Sequence, residues 1–213
     1  KITYLNVANT GDDENQGTAE QPLLTLGEAA KRANANADTD TIFLTAGAYS
    51  EAGTVKFTNP AIVTGAGASV TAVLRGTASL GLDGIEIVVS GLSYNVILTK
   101  GGFIQNCTFT GEPITAPLGT AAILLASDSD VTVSNNTITD YGVGIDGQTN
   151  IANPFVVYRL RGNSFIRCLA GVLATSASMD GGINPEDGEN RFVDCTVAIA
   201  NIRPLFQFFD GCQ

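Results

Sequence analysis

The 213-residue chain has no histidine, no tryptophan and a single methionine. Without histidine it lacks the commonest general base near neutral pH, and a zinc site would have to rely on cysteine and carboxylates. Without tryptophan, five tyrosines leave few flat platforms on which sugar rings could stack. Basic residues are also scarce: 11 Lys and Arg face 21 Asp and Glu, a formal charge of −10. That balance argues against nucleic acid, whose phosphates reward a basic face. It disfavours polyanionic uronans as well, unless calcium bridges the two. No apolar run approaches the roughly 18 residues of a membrane span. The chain opens Lys1-Ile2-Thr3-Tyr4 with no initiator Met or signal peptide. That start, with four cysteines in a Lys-poor, Asn/Thr/Ser-rich chain, sets the expectation of a processed extracellular or cell-surface protein, an excised domain being the alternative.

Glycine is what the chain has in plenty, 24 residues of it. Together with short runs such as Thr41–Leu44, Thr54–Phe57, Ile85–Val89 and Val131–Val133, this predicts many short strands and tight turns. One helix is expected, around 25–36. Thr25 and Glu28 have capping-box spacing, and Leu26, Ala29, Ala30 and Ala33 form one narrow apolar stripe. With no second helix to make βαβ crossovers, a sandwich or a solenoid remains.

An internal repeat decides for the solenoid. Asn136-Thr-Ile, Asn163-Ser-Phe and Asn190-Arg-Phe recur at intervals of 27 residues, each followed by a short turn and a second apolar run. A weaker copy begins at Cys107-Thr-Phe, 29 residues before Asn136. A period this constant fits coils stacked about 4.8 Å apart. Stacking would make Asn136, Asn163 and Asn190 an asparagine ladder at a bend, and Phe109, Ile138, Phe165 and Phe192 an inner apolar column. The expected architecture is all-β: a right-handed single-stranded parallel β-helix with one N-terminal capping α-helix. It forms a single domain over 1–213: strand and cap to residue 40, coils over 41–201, and a C-terminal strand or cap over 202–213.

The opening segment adds a resemblance. Tyr4-Leu-Asn-Val-Ala-Asn-Thr-Gly-Asp-Asp13, Asn15-Gln-Gly-Thr18, Gln21-Pro-Leu-Leu-Thr-Leu26 and Asp40-Thr-Ile-Phe-Leu-Thr-Ala-Gly-Ala-Tyr-Ser-Glu51 resemble the N-terminal signature of the pectin-lyase-like superfamily. The resemblance implies a right-handed β-helix with the Leu26–Ala33 helix over its N-terminal end. That superfamily includes lyases, hydrolases, epimerases, tail spikes, adhesins and inert modules, so the fold it implies does not carry a reaction.

Candidate sites are few. Asp128 and Asp130, two apart, could face one side of a strand and hold calcium, with Arg159, Arg161 and Arg167 as the nearest bases for lyase chemistry; a solvated turn is the competing reading. The loops Gly11–Asn15 and Asp180–Glu189 offer further carboxylates for calcium or simply turn. Asp140 and Asp194 flank Arg167 in one column and read as a charge-alternating surface ladder; the superfamily's Asn-Thr-Asp and Gly-His-Gly hydrolase motifs are missing. Cys168 and Cys195 stack in successive coils, as a disulfide or as free buried thiols, and Cys212 could pair elsewhere. At the end of the chain, Leu205, Phe206, Phe208 and Phe209 form an apolar strand without a polar cap, either a lid on the last coil or a contact with another chain. The resulting expectation is a non-catalytic extracellular structural β-helix, a surface, filament or adhesion module whose partner is itself. The alternative is a carbohydrate-active or carbohydrate-binding protein with polysaccharide as partner.

Overall fold

The computed structural model describes residues 3–36, 38, 40–88, 94–112, 120–148, 153, 155–175, 178–181 and 188–201. Every strand pairing among them is parallel, and the strands stack into three ladders around one apolar bore. The first ladder holds eight strands: β1 (Thr3–Val7), β2 (Asp40–Leu44), β4 (Ala61–Thr64), β6 (Leu80–Asp83), β9 (Gly102–Gln105), β12 (Val131–Ser134), β15 (Val157–Arg161) and β18 (Ser178–Asp180). The second contains β7 (Glu86–Val88), β10 (Thr108–Thr110), β13 (Thr137–Thr139), β16 (Ser164–Ile166) and β19 (Arg191–Val193). The third contains β8 (Tyr94–Leu98), β11 (Ala121–Leu125), β14 (Val143–Gly147), β17 (Ala170–Ala174) and β20 (Val197–Asn201). In the first coils the second and third ladders are one: β3 (Gly47–Phe57) pairs with β5 (Ala68–Gly76), and β5 pairs with β7 through Ser69–Thr71 and with β8 through Leu74–Gly76. The protein is an all-β parallel β-helix with one helix.

Alternation along the strands builds the bore. Phe109 stacks on Ile138, Ile138 on Phe165 and Phe165 on Phe192, and the first three are wholly buried. The corners on either side of ladder two need a left-handed residue. Asn106, Asn135 and Gly162 supply it on one side, and Asp140, Arg167 and Asp194 on the other, all with φ between 51° and 63°. Asn and Asp tolerate that conformation better than most side chains.

The N-terminal end is closed. Helix α1 (Leu26–Ala35) buries Leu26, Ala29, Ala30 and Ala33, and Thr25 caps it by accepting from the Glu28 N–H. Glu28 does not return that bond; its carboxylate takes Lys31 and Arg32 instead. Asp13 does, accepting from the Thr25 N–H at 2.8 Å, the Leu24 N–H at 2.9 Å and the Thr25 hydroxyl at 2.7 Å. Burial acts to raise the Asp13 pKa, but the Thr25 and Leu24 bonds and Arg32 carry it below the ordinary value. Arg32 also ties the loop to the helix through the Asp13 and Asn15 carbonyls, each at 2.6 Å. The Gly11–Asn15 segment, a candidate calcium loop in the sequence, thus serves as the anchor of the cap. The outer edge of β1 is covered too: Asn6 N–H bonds Gly17, and Leu23 N–H bonds Asn6.

Candidate functional site

The asparagine column is the most regular feature of the later coils. Asn136 Nδ2 donates to Asn163 Oδ1 at 2.9 Å, and Asn163 Nδ2 donates to Asn190 Oδ1 at 2.9 Å. The same oxygens accept the Asn136 and Asn163 backbone N–H groups at 3.1 Å. Each amide also donates to a carbonyl of the coil before: Ile104, Val133 and Leu160 respectively. All three side chains are buried, so these bonds replace water almost completely. Cys107, at the head of the column, keeps only the backbone half of the pattern, its N–H donating to Asn136 Oδ1 at 2.9 Å.

Asp128 and Asp130 do not converge. They lie in the turn between β11 and β12, whose shape is set by the buried Ser127 hydroxyl and by Tyr158, whose hydroxyl accepts from Ser127 N–H and shares its one proton between the Ser127 and Gln148 carbonyls, each 3.0 Å away. Asp128 pairs with Lys100 of the preceding coil, and Asp130 with Arg159 of the following one at 2.7 Å. Lys100 holds the Asp128 carboxyl below its usual range; the Val157 N–H, then Arg159, do so for Asp130. No cluster of three or more metal-ligating side chains exists among the described residues. Each carboxylate ties one coil to the next.

The other arginines are held in the same way. Arg167 makes a two-pronged pair with Asp140 at 2.7 Å per prong, lowering the Asp140 pKa, and Asp194 adds attraction from the far side. Arg161 bonds Asp180 at 2.6 Å. None of the three arginines considered as a lyase base is therefore an available one. Of the acidic loop Asp180–Glu189, residues 182–187 lie outside the described residues.

Cys168 and Cys195 are free thiols, the second of the two readings the sequence left open. In a parallel stack the two side chains leave their strands in the same direction, and the thiols remain neighbours without a covalent link. Each thiol also faces two carbonyls: Ile138 and Ile166 for Cys168, at 3.8 and 3.7 Å, and Phe165 and Val193 for Cys195, at 3.5 and 3.6 Å. Burial pushes the Cys168 thiol up to about 12 and the Cys107 thiol up to about 11, so neither is a nucleophile at neutral pH.

Two features were not legible beforehand. On the outer face of ladder three, Asp146 is buried and accepts from Thr175 Oγ1 at 3.1 Å, Gln148 Nε2 at 3.0 Å and Tyr94 Oη at 3.4 Å. None of the ion pairs among the described residues includes it. Its donors come from three different coils, so no sequence spacing announces the group. The other feature is the last coil. Arg191 and Asp194 are exposed, Phe192 is only partly covered, and a cavity of about 520 Å³ opens along Glu189–Asp194. Leu205, Phe206, Phe208 and Phe209, the expected contact strand, lie outside the described residues, as does Cys212.

A family model described as a protein of unknown function, DUF1565, matches residues 9–199. The chain belongs to the DUF1565 family. That family is associated with parallel β-helix proteins, in agreement with the ladders described above. No curated protein and no solved structure matches the chain.

Proposed function

We propose that this DUF1565 chain is a non-catalytic, extracellular structural β-helix, a rigid surface or adhesion module that associates with its own kind. The reading rests on how its charges are placed. Lys100–Asp128, Arg159–Asp130, Arg161–Asp180 and Arg167–Asp140 each join one coil to its neighbour, so the groups that acid–base chemistry would need act as fastenings between coils. The Asn136–Asn163–Asn190 ladder serves the same end inside the wall. Membership of the wider pectin-lyase-like superfamily belongs to this proposal and is supported by the segments between Tyr4 and Glu51 quoted above. Incubation with a panel of uronans and neutral polysaccharides, with and without calcium, tests it: no new unsaturated or reducing ends are expected. Turnover of any of them would overturn the reading.

Asp146 favours the second reading, a carbohydrate-active or carbohydrate-binding protein. A buried carboxylate beside a tyrosine hydroxyl could accept from sugar hydroxyls. Paired-carboxylate hydrolysis needs a second acid across the bond, and the residues in register with Asp146 on either side are Leu124 and Leu173.

A further inference from the structure

We propose that Lys56 and Arg75, beside the groove between α1 and β3, form a binding site for a phosphate group carried on a small polar molecule. The proposal goes beyond the structural role stated above and does not depend on it. It rests on which cations are already held. Among the described residues, Lys31, Arg32, Lys100, Arg159, Arg161 and Arg167 each pair with a carboxylate. The Lys56 ammonium and the Arg75 guanidinium pair with none, although the chain carries 21 acidic residues. Both are exposed, and they are direct neighbours: Lys56 of β3 is in register with Arg75 of β5. Parallel strands send such side chains out the same way, about 4.8 Å apart. Like charges so placed destabilise a sheet, and an anion held between them relieves the repulsion.

The groove supplies room for what carries the anion. A cavity of about 210 Å³ lies between α1 and the end of β3, and Lys31, Gly53, Thr54 and Lys56 line it. At Gly53 a Cβ would meet nothing within 4 Å, so that wall is open. Lys31 is tied only to Glu28, with its side chain 78% exposed. Glu51 lines the cavity as well, but its carboxylate accepts from the Gly27 N–H at 3.1 Å and so occupies the first turn of the helix. Two cations converging on one group select its charge. A carboxylate neutralises one of them, whereas a phosphate monoester, which carries nearly two charges at neutral pH, neutralises both. Arginine presents parallel N–H groups to two phosphate oxygens, and lysine adds a point charge. The net charge of −10 does not forbid this, because charges more than about 8 Å away are largely screened at physiological salt.

Amide NMR titration of the isotope-labelled chain with inorganic phosphate, glycerol 3-phosphate and acetate tests this. It is run on the wild type and on Lys56→Gln, Arg75→Gln, Glu51→Gln and Arg191→Gln, with thermal unfolding followed for each. The amides of Gly53, Thr54, Lys56 and Arg75 should move together with either phosphate, the ester binding more tightly because the groove holds the rest of it. Acetate should bind about tenfold more weakly, and Lys56→Gln and Arg75→Gln should each weaken phosphate binding about tenfold, as losing one charge-assisted bond does. Both variants should melt at the wild-type temperature or above it, since each removes a repulsion. Glu51→Gln should tighten binding. Arg191→Gln, the same change of charge in the last described coil, should leave it unaltered. No shift at these amides, or equal binding of acetate and phosphate, overturns the site. An equal loss on Arg191→Gln overturns it too, because binding would then follow net charge alone. Lower melting of both Lys56→Gln and Arg75→Gln would assign the pair to the fold and not to a ligand. Free phosphate binding as tightly as the ester overturns the carried molecule and leaves the phosphate.

Discussion

The ring of Phe192 lies parallel to that of Phe165, 4.9 Å away and tilted by only 8°. That distance is close to the spacing of neighbouring strands, so the two rings repeat the step of the coils beneath them. The stack holds because Gly171 faces it: a Cβ on Gly171 would meet the Phe192 ring, and one on Gly144 would meet Phe165. Glycine on ladder three therefore makes room for aromatic rings on ladder two.

Gly171→Ala is accordingly expected to displace Phe192 and lower stability by about 1–3 kcal/mol, as overpacking of a filled interior does. Urea unfolding measures this. An unchanged midpoint would mean that the ring has somewhere else to go.

Replacing the middle asparagine removes a donor and an acceptor from two rungs at once. Asn163→Ala should cost about 2–4 kcal/mol, since it leaves the Asn136 and Val133 groups unpaired in a buried place. Protonated, Asn163→Asp keeps the acceptor and loses a donation to Val133 or Asn190, and measured below the carboxyl's titration it should fall between. Equal losses for both variants would show that the oxygen's acceptance from Asn136 contributes nothing.

The Asp128, Asp130 and Asp140 carboxyls are all held below their ordinary value of 3.8. A depressed folded-state pKa contributes stability that is complete above the unfolded value and is lost as pH falls through the folded one. Stability with respect to these groups should therefore be level from pH 8 to about 5 and decline below about 4. The exposed Asp130–Arg159 pair accounts for only a few tenths of a kcal/mol. Asp130→Asn should flatten the acid limb slightly and leave the neutral plateau almost unmoved. An acid limb identical to the wild type's would show that Asp130 titrates normally.

Thiol labelling resolved by mass spectrometry should find Cys107 and Cys168 unreactive in the native protein at pH 8, because their values of about 11 and about 12 leave almost no thiolate. Of the three described cysteines Cys195, nearer the surface, should label first. Rapid native labelling of Cys168 would mean that the last coils open readily.

The helix and the later coils could be read in advance because their signals are local or strictly periodic. Thr25 with Glu28 marks the cap, and Asn136, Asn163 and Asn190 mark the period. Between residues 52 and 106 the register was not readable, for a structural reason: Asp40 stacks on Ala61, Ala61 on Leu80 and Leu80 on Gly102, so these coils run 21, 19 and 22 residues and no interval repeats. There, too, two sides of the coil merge into the long strands β3 and β5. The ion pairs divide similarly. Arg167 with Asp140 follows from the repeat, whereas the role of Asp13 at the cap and the gathering of Tyr94, Asp146 and Thr175 depend on unequal intervals that only the folded chain reveals.

Because Asn136 and Asn163 make the same donations, to the asparagine of the next coil and to a carbonyl of the coil before, the coil between them begins and ends on the same atoms. Such a unit can be copied or excised in a gene without leaving a mismatched seam, provided the cut spans one whole period. The length of this solenoid is thus a quantity that inheritance can adjust in steps of one coil, while the capped front remains as it is.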